Sequence, residues 1–190
     1  MKKLTKYHFS TVVIALLFGM MLCIPAIAAE VDSKLQAAIF AKILNYDQSL
    51  SQKSGSKLNF LVVLDTGTVG KKSQLLSGFS SIIGAVVSGK SIVISTTAAA
   101  QLSTALPGDN AHVIYLPDGT SATTLKDSLK IARELKIPVF CGNEAMVKDG
   151  AAVGLTIENS KPRIVINVAQ SKAQGMNLST QLLQLAKIIK

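Results

Sequence analysis

The stretch Leu58-Asn59-Phe60-Leu61-Val62-Val63-Leu64 is apolar but for one residue. A strand with one wet face alternates apolar and polar side chains, so a run without alternation must be covered on both faces, as in a parallel sheet between helical layers. Ser91-Ile92-Val93-Ile94-Ser95, Ala111-His112-Val113-Ile114-Tyr115-Leu116 and Pro138-Val139-Phe140-Cys141 repeat the pattern. The intervening segments change to helical spacing. Leu35, Ala38, Ile39, Ile43 and Tyr46 predict a first helix over 33–50, capped by Asp32 or Ser33. Leu75, Leu76, Phe79, Ile82, Ile83 and Val86 predict a second over 71–87, and a short helical segment is expected over 97–104. Another amphipathic helix is expected over 121–135, capped by Thr120 or Ser121.

Strands alternating with helices of this length imply right-handed crossovers and helices on both faces. The tail differs. Residues 151–158 and 163–167 are strand-like and joined by Asn159-Ser160-Lys161-Pro162, which predicts an antiparallel hairpin, and a closing helix is expected from Ser179 through Leu182, Leu185 and Ile189. The expected fold is α/β: three-layer and Rossmann-like, with a mainly parallel sheet, a C-terminal antiparallel hairpin and a closing helix.

Met1-Lys2-Lys3 and Lys6 precede an apolar run from Thr11 to Ile24 that ends in Pro25-Ala26-Ile27-Ala28-Ala29. A basic end, a short apolar run and small residues fit a secretory signal peptide, expected over 1–28 with cleavage after Ala28 or Ala29. A single domain is expected over 29–190. Cleavage removes Cys23 and His8, leaving Cys141 and His112 as the mature cysteine and histidine. No internal disulfide is then expected, and Cys141, after Pro138-Val139-Phe140, is read as a buried thiol. Removing Lys2, Lys3 and Lys6 from 20 basic residues leaves 17 against 11 acidic ones, or +6. The cations are scattered, without interleaved aromatics and without tryptophan, so nucleic acid is not an expected partner.

The residues do not assemble a catalytic set. His112 lies inside an expected buried strand, with no orienting acid or accessible nucleophile beside it. Cys141 lacks a second cysteine at Cys-x-x-Cys spacing, and neither clustered Cys and His nor close carboxylates suggest a metal. No cofactor is expected. Asp65-Thr66-Gly67-Thr68-Val69-Gly70 stands where a nucleotide loop would, but it has neither Gly-x-Gly-x-x-Gly nor the Walker lysine. Ligands of this architecture sit at the carboxyl ends of the strands. Asp65, Thr66, Gly67, Ser95, Thr96, Pro117, Asp118, Cys141 and Gly142 are therefore the residues expected to line a ligand pocket.

The last 50 residues carry a recognisable series. Gly150 leads a strand, a hairpin follows, and Arg163-Ile164-Val165-Ile166-Asn167 ends in an isoleucine-asparagine pair. Gly175-Met176-Asn177-Leu178-Ser179 makes a turn, and Leu182-Leu183-Gln184-Leu185-Ala186-Lys187 is a leucine-rich helix ending in an alanine-basic pair. This order resembles the YfiR-like (DUF4154) family; 34–40 resemble its opening helix and 111–116 its central strand. The resemblance implies a non-catalytic periplasmic regulator. Its partner would be the periplasmic domain of an inner-membrane sensor or diguanylate cyclase, limiting cyclic di-GMP output, with an outer-membrane protein as a further partner. Two departures bear on this. Asn45-Tyr46-Asp47 stands where the family commonly has a tryptophan-proline pair, and Ala111 stands where many members have a cysteine. Redox control through internal disulfides is therefore not expected to carry over.

Residues 113–116, 137–140 and 147–150 also resemble ABC-transporter ligand-binding proteins. Those close two lobes on a ligand, and about 160 mature residues provide room for one. The partner surface is expected on the first helix and on the final hairpin and helix. An edge strand of that hairpin is also free to pair with a second copy, giving a homodimer.

Overall fold

The computed structural model describes residues 31–53, 55–109 and 111–190. The expected export signal, with Cys23 and His8, lies outside the described residues. Eight strands form one sheet in the order β2-β3-β1-β4-β5-β6-β7-β8. These are β1 (Lys57–Leu64), β2 (Val86–Val87), β3 (Lys90–Ala98), β4 (Ala111–Leu116), β5 (Val139–Cys141), β6 (Val153–Glu158), β7 (Lys161–Asn167) and β8 (Lys187–Ile189). Neighbours run parallel except β2 with β3 and β6 with β7.

The unbroken apolar run of β1 serves both faces. Leu58, Phe60, Val62 and Leu64 enter one core with α1 (Ser33–Leu44) and α2 (Lys72–Ser80), while Leu61 and Val63 enter the other. That second core holds Leu102 and Leu106 of α3 (Leu102–Asp109), Leu125 and Leu129 of α4 (Ala122–Leu135), and Met146 and Val147 of α5 (Glu144–Lys148). The first core centres on five rings, Phe40, Phe60, Phe79, Tyr115 and Phe140, in tilted and edge-on contacts of 4.6–6.3 Å. The buried Tyr115 hydroxyl donates to Gln36 Oε1 at 2.7 Å, and Gln36 Nε2 donates to the Val31 carbonyl, so the polar atoms in this core are matched.

The caps explain where helices start. The Asp32 carboxylate accepts from the amides of Lys34 and Leu35, and the Ser121 hydroxyl accepts from that of Thr124. Elsewhere the expected elements are corrected. The first helix stops at Leu44, because Asp47 turns the chain: its Oδ1 accepts from the Ser49 amide and hydroxyl and from the Asn177 amide. The second helix ends at Ser80, and Val86-Val87 instead pairs with β3 through a two-residue turn whose Ser88 and Gly89 both have positive φ. β3 runs on to Ala98, and the helical segment after it begins at Ala99, in a 3₁₀ turn that leads into α3. The β6–β7 turn is tighter than expected, with Asn159 and Ser160 in the left-handed region. The closing helix is a short α7 (Thr180–Leu185), and Lys187–Ile189 leaves it to pair with β7. The hairpin strand β7 is therefore covered by β8, which forms the edge. A further short helix, α6 (Val168–Ala173), follows β7. Among the described residues no helix is long and apolar enough to cross a membrane.

Candidate functional site

The chain passes from β1 to α2 on one face of the sheet and from β3 to α3 on the other. The adjacent carboxyl ends of β1 and β3 thus open a crevice of the kind in which ligands bind in open α/β sheets. An open cleft of about 730 Å³ lies there. Leu64, Asp65, Thr66 and Val69 line it from β1 and its loop, Lys72 from the start of α2, Thr96 to Gln101 from the end of β3, and Ser121, Thr123 and Thr124 from the start of α4.

Asp65 holds this rim together. Its Oδ1 accepts from the amides of Gly67 (3.0 Å) and Thr68 (3.1 Å) and from the Thr68 hydroxyl (3.0 Å), and its Oδ2 accepts from the Ser121 amide (2.8 Å). Burial pushes its carboxyl up, but the Ser121 amide and the Thr68, Ser121 and Thr124 hydroxyls outweigh that and bring it down to about 2. Gly67 is pressed against the next loop: a Cβ there would lie 2.9 Å from the Gly119 carbonyl oxygen. The Asp118 carboxylate accepts from the Gly119 amide (3.1 Å) and from the Asn143 side-chain amide, which joins the loops after β4 and β5.

The structure brings Asp65, Thr66 and Thr96 together and places the other expected pocket residues elsewhere. Gly67, Pro117, Asp118 and Gly142 form the scaffold beside the cleft. Ser95 shares the opposite face of β3 from Thr96 and donates to Asn59 Oδ1 at 2.9 Å. Cys141 is fully buried in the α3/α4-side core, where the carbonyls of Asn143 and Val153 both lie within reach of its single S–H donor and burial pushes its pKa far up. A thiol so placed does not supply a nucleophile. The Nδ1 of half-buried His112 accepts the Asn59 amide at 3.3 Å, so that nitrogen is committed to the backbone. Among the described residues no group of three or more His, Cys, Asp or Glu could hold a metal ion.

A second concavity lies where α1, β7 and α7 meet. This groove of about 430 Å³ is lined by Ile39, Lys42, Ile43, Asn45, Tyr46, Pro162, Ile164, Leu182 and Leu185. The first helix, the last hairpin and the short final helix, expected to carry the partner surface, thus form one surface. Leu185 stands out at 61% exposure.

The model of the DUF4154 family, described as YfiR/HmsC-like, matches residues 33–187. The chain belongs to this YfiR/HmsC-like family. The motif residues that carried the resemblance now have physical roles. Gly150 has a φ of +122°, and its carbonyl accepts from Gln174, whose Oε1 in turn accepts the Val139 amide: a buried side chain bridging β5 and the β6 approach. Asn167 caps α6 by accepting the Gln170 amide. Gly175 turns at a φ of +84° against Lys136, a conformation costly for a residue with a Cβ. Leu178 pairs with Asp47 in an isolated bridge, and Ser179 caps α7. Leu182 and Ala186 are buried. Leu185 is the member of the series that the fold leaves in water.

Among curated proteins none matches the sequence. Solved structures match by fold. A conserved domain protein from Vibrio cholerae O1 biovar El Tor superposes with a TM-score of 0.57 at 18% identity, covering 83% of this chain and 60% of its own. The ABC domain in complex with L-Trp from Streptococcus pneumoniae gives 0.56 at 10% identity, covering 83% and 62%. The YfiR/HmsC-like chain thus spans about 60% of the length of the solved structures it matches.

Proposed function

We propose that this chain is a non-catalytic periplasmic regulator that binds the outer part of an inner-membrane signalling protein through the groove between α1, β7 and α7. The observation that carries the reading is Leu185. Its neighbours in the same leucine-rich series, Leu182 and Ala186, are buried, yet Leu185 lies 61% exposed over an apolar groove. A large apolar side chain left exposed on the rim of a concave apolar surface is of the kind that a partner can bury as an anchor. The family match supports taking the partner as a sensor or a diguanylate cyclase with cyclic di-GMP output, and with it export to the periplasm and a release step at an outer-membrane protein. On the catalytic side, Cys141 and His112 are committed to internal hydrogen bonds.

The test is capture of partners from an envelope extract by the tagged protein and by its Leu185→Asp variant. The wild type is expected to recover an inner-membrane sensor or cyclase, with recovery falling about tenfold or more in the variant, since burying a leucine contributes about 1.5–3 kcal/mol. Recovery unchanged by the variant would contradict the reading. A transport permease in place of a signalling protein would favour a single-lobed binding protein related to ABC-transporter substrate-binding proteins, a reading supported by the cleft at the ends of β1 and β3.

A further inference from the structure

The cleft at the ends of β1 and β3 shares no lining residue with the partner groove. Its polar groups divide into those already used and those left over. Asp65, the carboxylate of its lining, is engaged on both oxygens by internal donors and acts as scaffold. Among the described residues Lys72 has no carboxylate partner, and the hydroxyls of Thr66, Thr96 and Thr123 have no protein partner. Thr97, 8% exposed, makes only a long 3.4 Å bond to the neighbouring Ala98 carbonyl. One wall is apolar: Leu64, Ala98, Ala99, Ala100 and Val69, which is 57% exposed although hydrophobic. About 730 Å³ is the size of cavity that takes a small organic molecule.

We propose that this cleft binds a small amphipathic organic anion. The anionic group pairs with Lys72 and the threonine hydroxyls, and the apolar body lies against Val69 and the alanine wall. A neutral polar ligand would leave Lys72 unmatched, and both oxygens of the ionised Asp65 already accept from internal donors, which leaves Lys72 as the charge open to a ligand. The site stands independently of the partner groove, so a ligand could be bound in the presence or absence of a partner protein.

The probe is 1-anilinonaphthalene-8-sulfonate, an aromatic sulfonate of this class, titrated into the purified protein and followed by fluorescence. N-phenyl-1-naphthylamine, its uncharged analogue, is the control. Saturable sulfonate binding is expected, weakened about tenfold by Lys72→Glu and by a smaller factor by Thr123→Ala, and unchanged by Leu185→Asp. Lys72 and Thr123 are exposed, and circular dichroism of both variants verifies their fold. The proposal is overturned if binding is insensitive to Lys72→Glu, if it is lost in Leu185→Asp, if the uncharged analogue binds equally well, or if no saturable binding occurs.

Discussion

At the scale of single residues, the loops beyond the strands are organised by carboxylates that accept from backbone amides. Asp65 spans 56 positions of sequence to the Ser121 amide and also closes its own turn on Gly67 and Thr68. A folded-state value of about 2, against an ordinary 3.8, means that the folded protein favours the ionised form. That stabilisation is present above the ordinary carboxylate value and is lost as the pH falls from about 5 through 2; discounted for solvent screening of so open a carboxylate, it is on the order of 1 kcal/mol. Asp65→Asn is expected to be less stable by that amount in urea unfolding at pH 7, with the gap to the wild type narrowing between about pH 5 and pH 2. A gap that is constant with pH would mean that the carboxylate's charge contributes nothing.

At the scale of elements, the parts most legible in the sequence were those where one physical rule acts alone. β1 and β4 are runs buried on two faces, and α4 has an amphipathic stripe with Ser121 as its cap. Where two rules compete, the local period runs past the true end of the element. Ile82, Ile83 and Val86 prolong the helical spacing of α2, but Gly84 at a φ of +80° and the Ser88-Gly89 turn convert the extension into a hairpin with β3. Ile188 and Ile189 fit the leucine-rich spacing of the last helix, yet they align with Ile166 and Asn167 of β7, a long-range pairing that a local period does not contain. The site follows the same division. Asp65, Thr66 and Thr96 follow from strand ends, whereas Lys72 and Thr97 depend on where α2 starts and how far β3 extends. Ser95, Cys141 and Gly142 stand at or near strand ends in the sequence, but Ser95 lies two residues short of Thr97 and is tied to Asn59, and Cys141 and Gly142 are buried. The edge strand β8 has a tie of its own: Lys187 Nζ pairs with Glu144 of α5 at 3.0 Å and with Glu158 of β6 at 2.8 Å. Lys187→Met is expected to speed amide exchange in β8 by a few-fold while leaving β1 and β4 protected, because exposed ion pairs act locally and weakly. Uniform acceleration across the sheet, or none in β8, would contradict a local latch.

At the scale of the whole molecule, a sheet covered on both faces is left, among the described residues, with two concavities where the cover is incomplete. One is the cleft at the ends of β1 and β3, lined by hydroxyls and Lys72; the other is the apolar groove between α1, β7 and α7. The family's leucine-rich end divides its side chains at that groove. Leu182 fastens α7 to the core, and Leu185 faces outward. Leu135 at the end of α4, 50% exposed on the opposite helical layer, is an internal control of similar chemistry. The most direct measurement is photo-crosslinking in living cells from a benzoylphenylalanine placed at position 185 or at position 135. Position 185 is expected to capture an inner-membrane signalling protein through its periplasmic part, and position 135 to leave it uncaptured. Capture of that protein from position 135 alone, or crosslinks from position 185 to a permease only, would contradict the assignment of the groove as the regulatory surface.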